Sequence, residues 1–415
     1  MSKPHAHAVV IAIGDELVRG QCVDTNSAYL ADRLGEAGIR TVEHCTIGDE
    51  LPAIVDAFRR AAGTADLVVA TGGLGPTEDD LTRDALAQAM GVDLTLCSTC
   101  LADLEAFFHE RGRPISQANR RQAMLPVGTE RLANAVGTAP GIAATLGSAA
   151  VFCLPGVPHE MRTMYDQQVA ARLGAGGNVI LHHAVHTFGA PESEIGATLA
   201  DLMTPDAHPR LGTTAKIGVI SVRFSVSGAT IEGAQAQIRQ TSDVIRQRLG
   251  EIVFGEGEET LASAVGNLLQ QRGQTLATAE SCTGGLLGET ITAVSGASAY
   301  YLGGVVAYAN PVKQQFLDVP GDVLASCGAV SEPVAAAMAQ GCRRRFNSDW
   351  ALSVTGIAGP TGGTADKPLG LVYLAVAGPD GTDVRRHHIT GPRAFVRQRA
   401  TWIILNDLRV ALTKA

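Results

Sequence analysis

Thr275-Leu276-Ala277-Thr278-Ala279-Glu280-Ser281-Cys282-Thr283-Gly284-Gly285 decides how this chain is read. Thr275 to Ala279 is an apolar run of strand length, and Leu286 to Val294 reads as a helix. Two hydroxyls and two glycines therefore sit where a strand hands over to a helix N-terminus. Free N–H groups and the positive end of the helix dipole collect there, which favours a phosphate or a developing oxyanion. Ser281 is the candidate nucleophile of that turn. Gly284 and Gly285 let a substrate approach the backbone, and Cys282 points one residue onward into the core.

Two further polar turns follow strand-like runs in the same third of the chain. Tyr308-Ala309-Asn310-Pro311-Val312-Lys313 follows Gly304–Ala307, and Thr355 to Thr364 follows Ala351–Val354. Three such turns at the carboxyl ends of neighbouring strands can converge on one pocket. A serine needs a base. No histidine lies in these segments, and His387 and His388 are far along the chain, so a Ser-His-Asp reading lacks its base. Lys313, if buried and lowered in pKa, could take the Ser281 proton, with Tyr308 relaying or orienting. A solvated Lys313 and a packing Tyr308 are the plainer alternative.

The chain has 415 residues, of which 46% are hydrophobic, 18% charged and 4% aromatic, with 47 glycines. That balance suits α/β layers joined by glycine turns. From residue 8 to about 170, strands and helices alternate: Val9–Ile13, Asn26–Ala37, Thr41–Ile47, Leu51–Ala62, Leu67–Ala70 and Leu81–Met90. The order predicts a parallel sheet covered on both faces. Gly14-Asp15-Glu16 and Thr71-Gly72-Gly73 would lie beyond its strand ends, where ligands bind. Thr71–Gly75 reads as a phosphate turn, and Glu78, Asp79, Asp80 and Asp84 as oxygen ligands for a magnesium-type ion beside it. Asp79 and Asp80 also suit a plain helix start.

Residues 178–252 suggest a small α+β module with balanced charge, a spacer or dimerisation element. His182, His183 and His186 alternate between its strand faces, as ordinary strand residues do. Gly255-Glu256-Gly257-Glu258-Glu259 reads as a flexible acidic linker. The net charge of −8 argues against general nucleic-acid binding. No apolar run approaches the ~20 residues that span a bilayer. The polar start, Met1 to His7, is not read as a signal peptide. Eight scattered cysteines, Cys97 and Cys100 among them, read as reduced packing residues of a cytoplasmic protein.

Ala279–Gly285, Tyr308–Lys313 and Thr355–Gly370 resemble the C-terminal domain of the CinA proteins, bacterial nicotinamide-nucleotide amidases. Gly14–Leu17, Asp24-Thr25-Asn26-Ser27 and Thr71–Asp80 resemble their companion domain of molybdopterin-binding type. The resemblance implies a three-layer α/β/α domain over 1–172, the α+β module over 178–252 and an α/β amidase domain over 258–415. It implies hydrolysis of the carboxamide of nicotinamide mononucleotide by a cytoplasmic homodimer, without a cofactor. Ser281 matches the family's nucleophile, and Lys313 and Tyr308 its activating pair. Thr283, Gly284, Gly285, Thr355, Gly356, Arg393 and Arg397 are then candidate substrate ligands. Where this chain carries Ala309, a small hydroxylated residue is usual in the family.

For the N-terminal domain the resemblance implies a nucleotide site of Asp15, Glu16, Asn26, Thr71, Gly72, Gly73 and Gly75. A metal-dependent ADP-ribose pyrophosphatase using Asp79, Asp80 and Asp84 is implied with it. A non-catalytic pterin or nucleotide binder, and an accessory protein of DNA uptake or repair, are the rival readings.

Overall fold

In the computed structural model, residues 5–173 and 178–414 are described; 1–4 and 415, at the outer edges of the expected end domains, lie outside them. The chain forms two compact units, 1–182 with 225–240, and 183–224 with 241–415.

The first unit is built on strands β1 (His7–Ile13), β2 (Arg40–Ile47), β3 (Leu67–Thr71), β4 (Leu94–Leu96), β5 (Met124–Pro126), β6 (Glu130–Leu132), β7 (Gly141–Leu146) and β8 (Ala149–Leu154). Six of them form one sheet in the order β2-β1-β3-β8-β7-β6. Alternate residues of β1 and β3 enter two separate cores. Val9, Ile11, Val68 and Ala70 join the helices Leu51–Thr64 and Thr82–Met90, whereas Val10, Leu67 and Val69 join Leu30, Leu34, Met161 and Met164. That is the three-layer α/β/α arrangement.

The sheet is not wholly parallel. β1, β2, β3 and β8 run parallel, but β7 is antiparallel to both of its neighbours, β8 and β6. The cause is local. Gly147-Ser148 closes β7 onto β8 as a two-residue hairpin, with Gly147 at φ 62°, and a hairpin reverses the chain.

Strands β9 (Val179–Phe188), β10 (Gly212–Lys216), β11 (Val219–Gly228) and β12 (Val253–Glu256) form a four-stranded sheet in the order β10-β11-β9-β12. β12 overturns the flexible-linker reading. Val253 and Glu256 pair with β9, Gly257 donates to the Ala184 carbonyl, and Glu256 pairs with Arg246 at 2.8 Å.

The C-terminal sheet has the order β14-β13-β15-β16-β17, from β13 (Leu276–Glu280), β14 (Tyr301–Val306), β15 (Trp350–Gly356), β16 (Leu371–Gly378) and β17 (Gly381–His388). β14, β13 and β15 are parallel, and β16 is antiparallel to both of its neighbours, β15 and β17. Side-chain size differs between its faces. Leu276, Leu352, Val354, Val372 and Leu374 meet the helices Leu261–Arg272 and Arg393–Lys414. Ala277, Ala279, Ala351, Ala375 and Ala377 meet the helix Glu332–Phe346. Because successive strand residues point to opposite faces, Glu280 leaves β13 on the bulky side and Ser281 on the alanine side.

Candidate active site

Lys313 lies in the first turn of the helix Asn310–Leu317, which Pro311 starts, and is 1% exposed. Its Nζ donates to the Ala307 carbonyl at 2.7 Å and the Tyr308 carbonyl at 3.1 Å, and meets Ser281 Oγ at 3.1 Å. No ion pair to Lys313 occurs among the described residues. Burial pulls its pKa below the ordinary 10.5, since desolvation penalises the ammonium. The positive end of its own helix acts in the same sense. Two carbonyls take two N–H bonds of a neutral amine, and its lone pair is left for the serine proton.

Ser281 is 8% exposed, and its amide is tied to the Val354 carbonyl at 2.9 Å. Cys282 enters the apolar core, and burial pushes its thiol up to about 12, so it is no rival nucleophile. Gly284 and Gly285 take φ of 61° and 97°, which a side chain at either position would strain.

Several expected roles are corrected. The helix start at Leu286 is not vacant for an anion. Glu280, 2% exposed, accepts from the amides of Gly285 at 2.9 Å, Leu287 at 3.0 Å and Gly288 at 2.8 Å. Sequence reasoning gave Glu280 no role, although an acid ahead of a helix start is a recognisable signal. Among the described residues, the amides of Cys282 and Thr283 donate to no other residue, which makes them the candidate oxyanion donors of the turn.

Tyr308 meets Lys313 through its main-chain carbonyl, because its ring is 61% exposed and its hydroxyl accepts from Arg393 at 3.3 Å. Neither threonine offers a free hydroxyl outward. Thr355 Oγ1 donates to the Ala329 carbonyl at 2.8 Å on the packed alanine face, and Thr283 Oγ1 is enclosed without a partner. Gly356 is a packing position, where a Cβ would meet the Leu371 carbonyl at 2.8 Å. Ala309 begins the Lys313 helix without a side-chain cap.

Arg393 and Arg397 both belong here. Arg393 donates to the Gly359 carbonyl at 2.9 Å, and Arg397 to the Thr283 carbonyl at 3.1 Å through Nε. All three polar turns therefore meet, with two guanidinium groups among them.

In the first unit, the ends of β1 and β3 also meet. Gly72, at φ 105°, comes so close that a Cβ would stand 2.1 Å from the Ile13 carbonyl. Asn26 Nδ2 bridges Thr71 Oγ1 at 3.0 Å and the Gly156 carbonyl at 2.8 Å, while its Oδ1 is buried without a partner. Gly73, at φ 63°, is closed over by Thr82. Asp15 turns to the Asp49 amide at 3.2 Å and pairs with Arg19, and Glu16 folds back over Gly14.

The proposed metal acids do not converge. Asp80 holds its own loop, accepting from the amides of Gly75 and Thr77 at 2.8 Å each. Asp84 pairs with Arg121 at 3.1 Å. Among the described residues, no group of three His, Cys, Asp or Glu side chains is placed to hold a metal. A divalent ion therefore does not fit these three aspartates. His182, His183 and His186 each meet a separate polar partner, Ser225, Glu256 and Ser221. No helix among the described residues is long and apolar enough to cross a membrane.

Comparison with known proteins agrees with this architecture. Residues 9–175 match the probable molybdopterin binding domain, 182–255 the damage-inducible protein CinA KH domain, and 258–412 the CinA C-terminal domain. A CinA-like protein of Anaeromyxobacter sp. (strain Fw109-5) is 43% identical over 98% of this chain and 99% of its own. One from Synechococcus sp. (strain RCC307) is 42% identical over 99% of this chain and 100% of its own. A crystal structure of CinA from Thermoplasma acidophilum is 34% identical, covering 40% of this chain and 96% of that one, with a TM-score of 0.38. Likeness at this level through nearly the whole of both chains, with all three domain types in one order, means that the chain belongs to the CinA family.

Proposed function

We propose that the C-terminal domain is an amidohydrolase, taking nicotinamide mononucleotide to nicotinate mononucleotide and ammonia. One observation carries this reading: a buried lysine, without a counter-ion among the described residues, 3.1 Å from the oxygen of the serine that opens the turn. The likeness of the three site segments to the CinA amidase domain supplies the substrate.

Lys313 takes the proton as Ser281 Oγ attacks the carboxamide carbon, and the amides of Cys282 and Thr283 receive the oxyanion. The ammonium so formed returns its proton to the departing nitrogen, which leaves as ammonia. An ester on Ser281 remains. Water then attacks that ester, Lys313 takes its proton and passes it to the departing Ser281 Oγ, and the acid product leaves, ionising to the carboxylate in water. Arg393 and Arg397 supply positive charge for the substrate phosphate.

The eight cysteines are all free, which supports a reduced, cytoplasmic setting, and a homodimer remains part of this reading. The apposed glycine turns and the unpartnered Asn26 Oδ1 support a nucleotide- or pterin-binding first unit. A metal-dependent ADP-ribose pyrophosphatase has no comparable support, because its acids are held apart. The test is ammonia release from a panel of amidated nucleotides by wild type and Ser281→Ala. Release by wild type alone is expected, and release by both would remove Ser281 from the reaction.

A further inference from the structure

Glu280 is a buried carboxylate that the mechanism above does not use. It precedes the nucleophile directly, yet alternation along β13 sends it to the opposite face of the sheet. There it accepts from three amides, Gly285, Leu287 and Gly288. The chain between them is the turn that carries Ser281 and the two candidate oxyanion amides. That turn is also braced elsewhere: Gly284 N–H donates to the Ser281 carbonyl at 3.1 Å, and Arg397 holds the Thr283 carbonyl. A carboxylate has four acceptor sites, and three are used here on donors that would otherwise be orphaned at a helix start.

We infer that Glu280 is the positioning residue of the nucleophile turn: its carboxylate fixes Gly285–Gly288, and so aims Ser281 Oγ at Lys313 and the Cys282 and Thr283 amides at the oxyanion. The inference rests on the amidase reading. Glu280 touches neither substrate nor Lys313; it acts through the backbone. Glutamine has the same shape but places an NH2 against amide donors, so at least one of the three contacts is lost. Aspartate keeps the charge but is one methylene too short to span all three.

The experiment uses the full-length protein as wild type, Glu280→Gln, Glu280→Asp and Ser281→Ala. Competent serines are counted by fluoride released from a fluorophosphonate that caps an activated serine. Ammonia release from nicotinamide mononucleotide is then expressed per competent serine, across pH. Misplacing a reacting group by about 1 Å can cost about a hundredfold in rate. Glu280→Gln should therefore lose about tenfold to a hundredfold in kcat per competent serine, with KM within about threefold. Glu280→Asp should recover part of that loss. The acid limb of the pH profile, which reports Lys313, should stay in place.

If Glu280→Gln lowers only the number of competent serines, its role is structural and the inference is overturned. An unchanged kcat per serine overturns it too, as does a displaced acid limb, which would mean direct action on Lys313. A wild type capped by the probe but releasing no ammonia would defeat the substrate reading alone. Glu280→Gln should then be capped slower by the same factor, and equal capping rates would defeat the inference. A wild type as inert to the probe as Ser281→Ala would defeat both.

Discussion

Replacing Lys313 by methionine keeps an unbranched, apolar side chain out to Cε and removes the amine, so it tests the proposed base. Three contacts go at once: to Ser281 Oγ, and to the carbonyls of Ala307 and Tyr308. General-base removal costs about 10²- to 10⁴-fold, or about 3–5 kcal/mol of transition-state stabilisation. Ammonia release per chain should fall by that factor, with KM changed little. Each deprived carbonyl costs about 1–3 kcal/mol if it finds no water. Burying methionine rather than an amine offsets part of this, and a net loss of about 1–3 kcal/mol is expected near pH 9.

The pH dependence has a definite sign. Lys313 titrates below 10.5 when folded and near that value when unfolded, so between the two the unfolded chain binds more protons. Wild-type stability should therefore rise with pH through that window, and Lys313→Met should lack the rise. Urea unfolding across pH 7–10.5, beside a coupled ammonia assay, measures both. A variant with more than a tenth of wild-type turnover, or one sharing the wild-type pH slope, would mean that Lys313 is not the base.

Other sites give separate expectations. Burial pushes Asp407 up to about 6 against the pull of Arg385 at 2.9 Å, so its stabilising contribution, present below pH 3.8, is lost as pH rises through about 6. Asp407→Asn should gain on wild type across that window by about 1–3 kcal/mol in urea titrations; parallel curves would contradict it. Asp80→Ala frees the Gly75 and Thr77 amides and should cost the first unit about 1–3 kcal/mol, with ammonia release unchanged. A fall in ammonia release there would mean that the two halves share a function. Gly72→Ala forces a side chain toward the Ile13 carbonyl at φ 105° and should cost more than about 3 kcal/mol. An unchanged Tm would disprove that close approach.

The Ser281–Lys313 contact was legible because its signals are local: a hydroxyl after an apolar strand, and a lysine after Asn-Pro. The same alternation rule that exposes β13 also separates Glu280 from Ser281, but composition alone does not say that a turn folds back over the preceding acid. The vacant helix end expected from Ser281–Gly285 was therefore already occupied. Asp79, Asp80 and Asp84 read as metal ligands because proximity in sequence resembles proximity in space. Asp80 is instead consumed by its own loop, and Asp84 by an arginine 37 positions on. Gly255–Glu259 has the composition of a linker, yet a strand edge needs only backbone N–H and C=O, which any residue supplies. Two of the antiparallel pairings rest on two-residue turns, Gly147-Ser148 and Pro379-Asp380, while β15 reaches β16 through residues 357–370.

The central claim is that an uncharged Lys313 amine receives the Ser281 proton. Nitrogen-15 NMR of the lysine side chains, titrated in wild type and assigned against Lys313→Met, measures that amine directly. The expected result is an Nζ resonance that titrates below 10.5, at the same pH as the acid limb of kcat/KM. An Nζ still protonated up to 10.5, in an enzyme already fully active near neutrality, would contradict it.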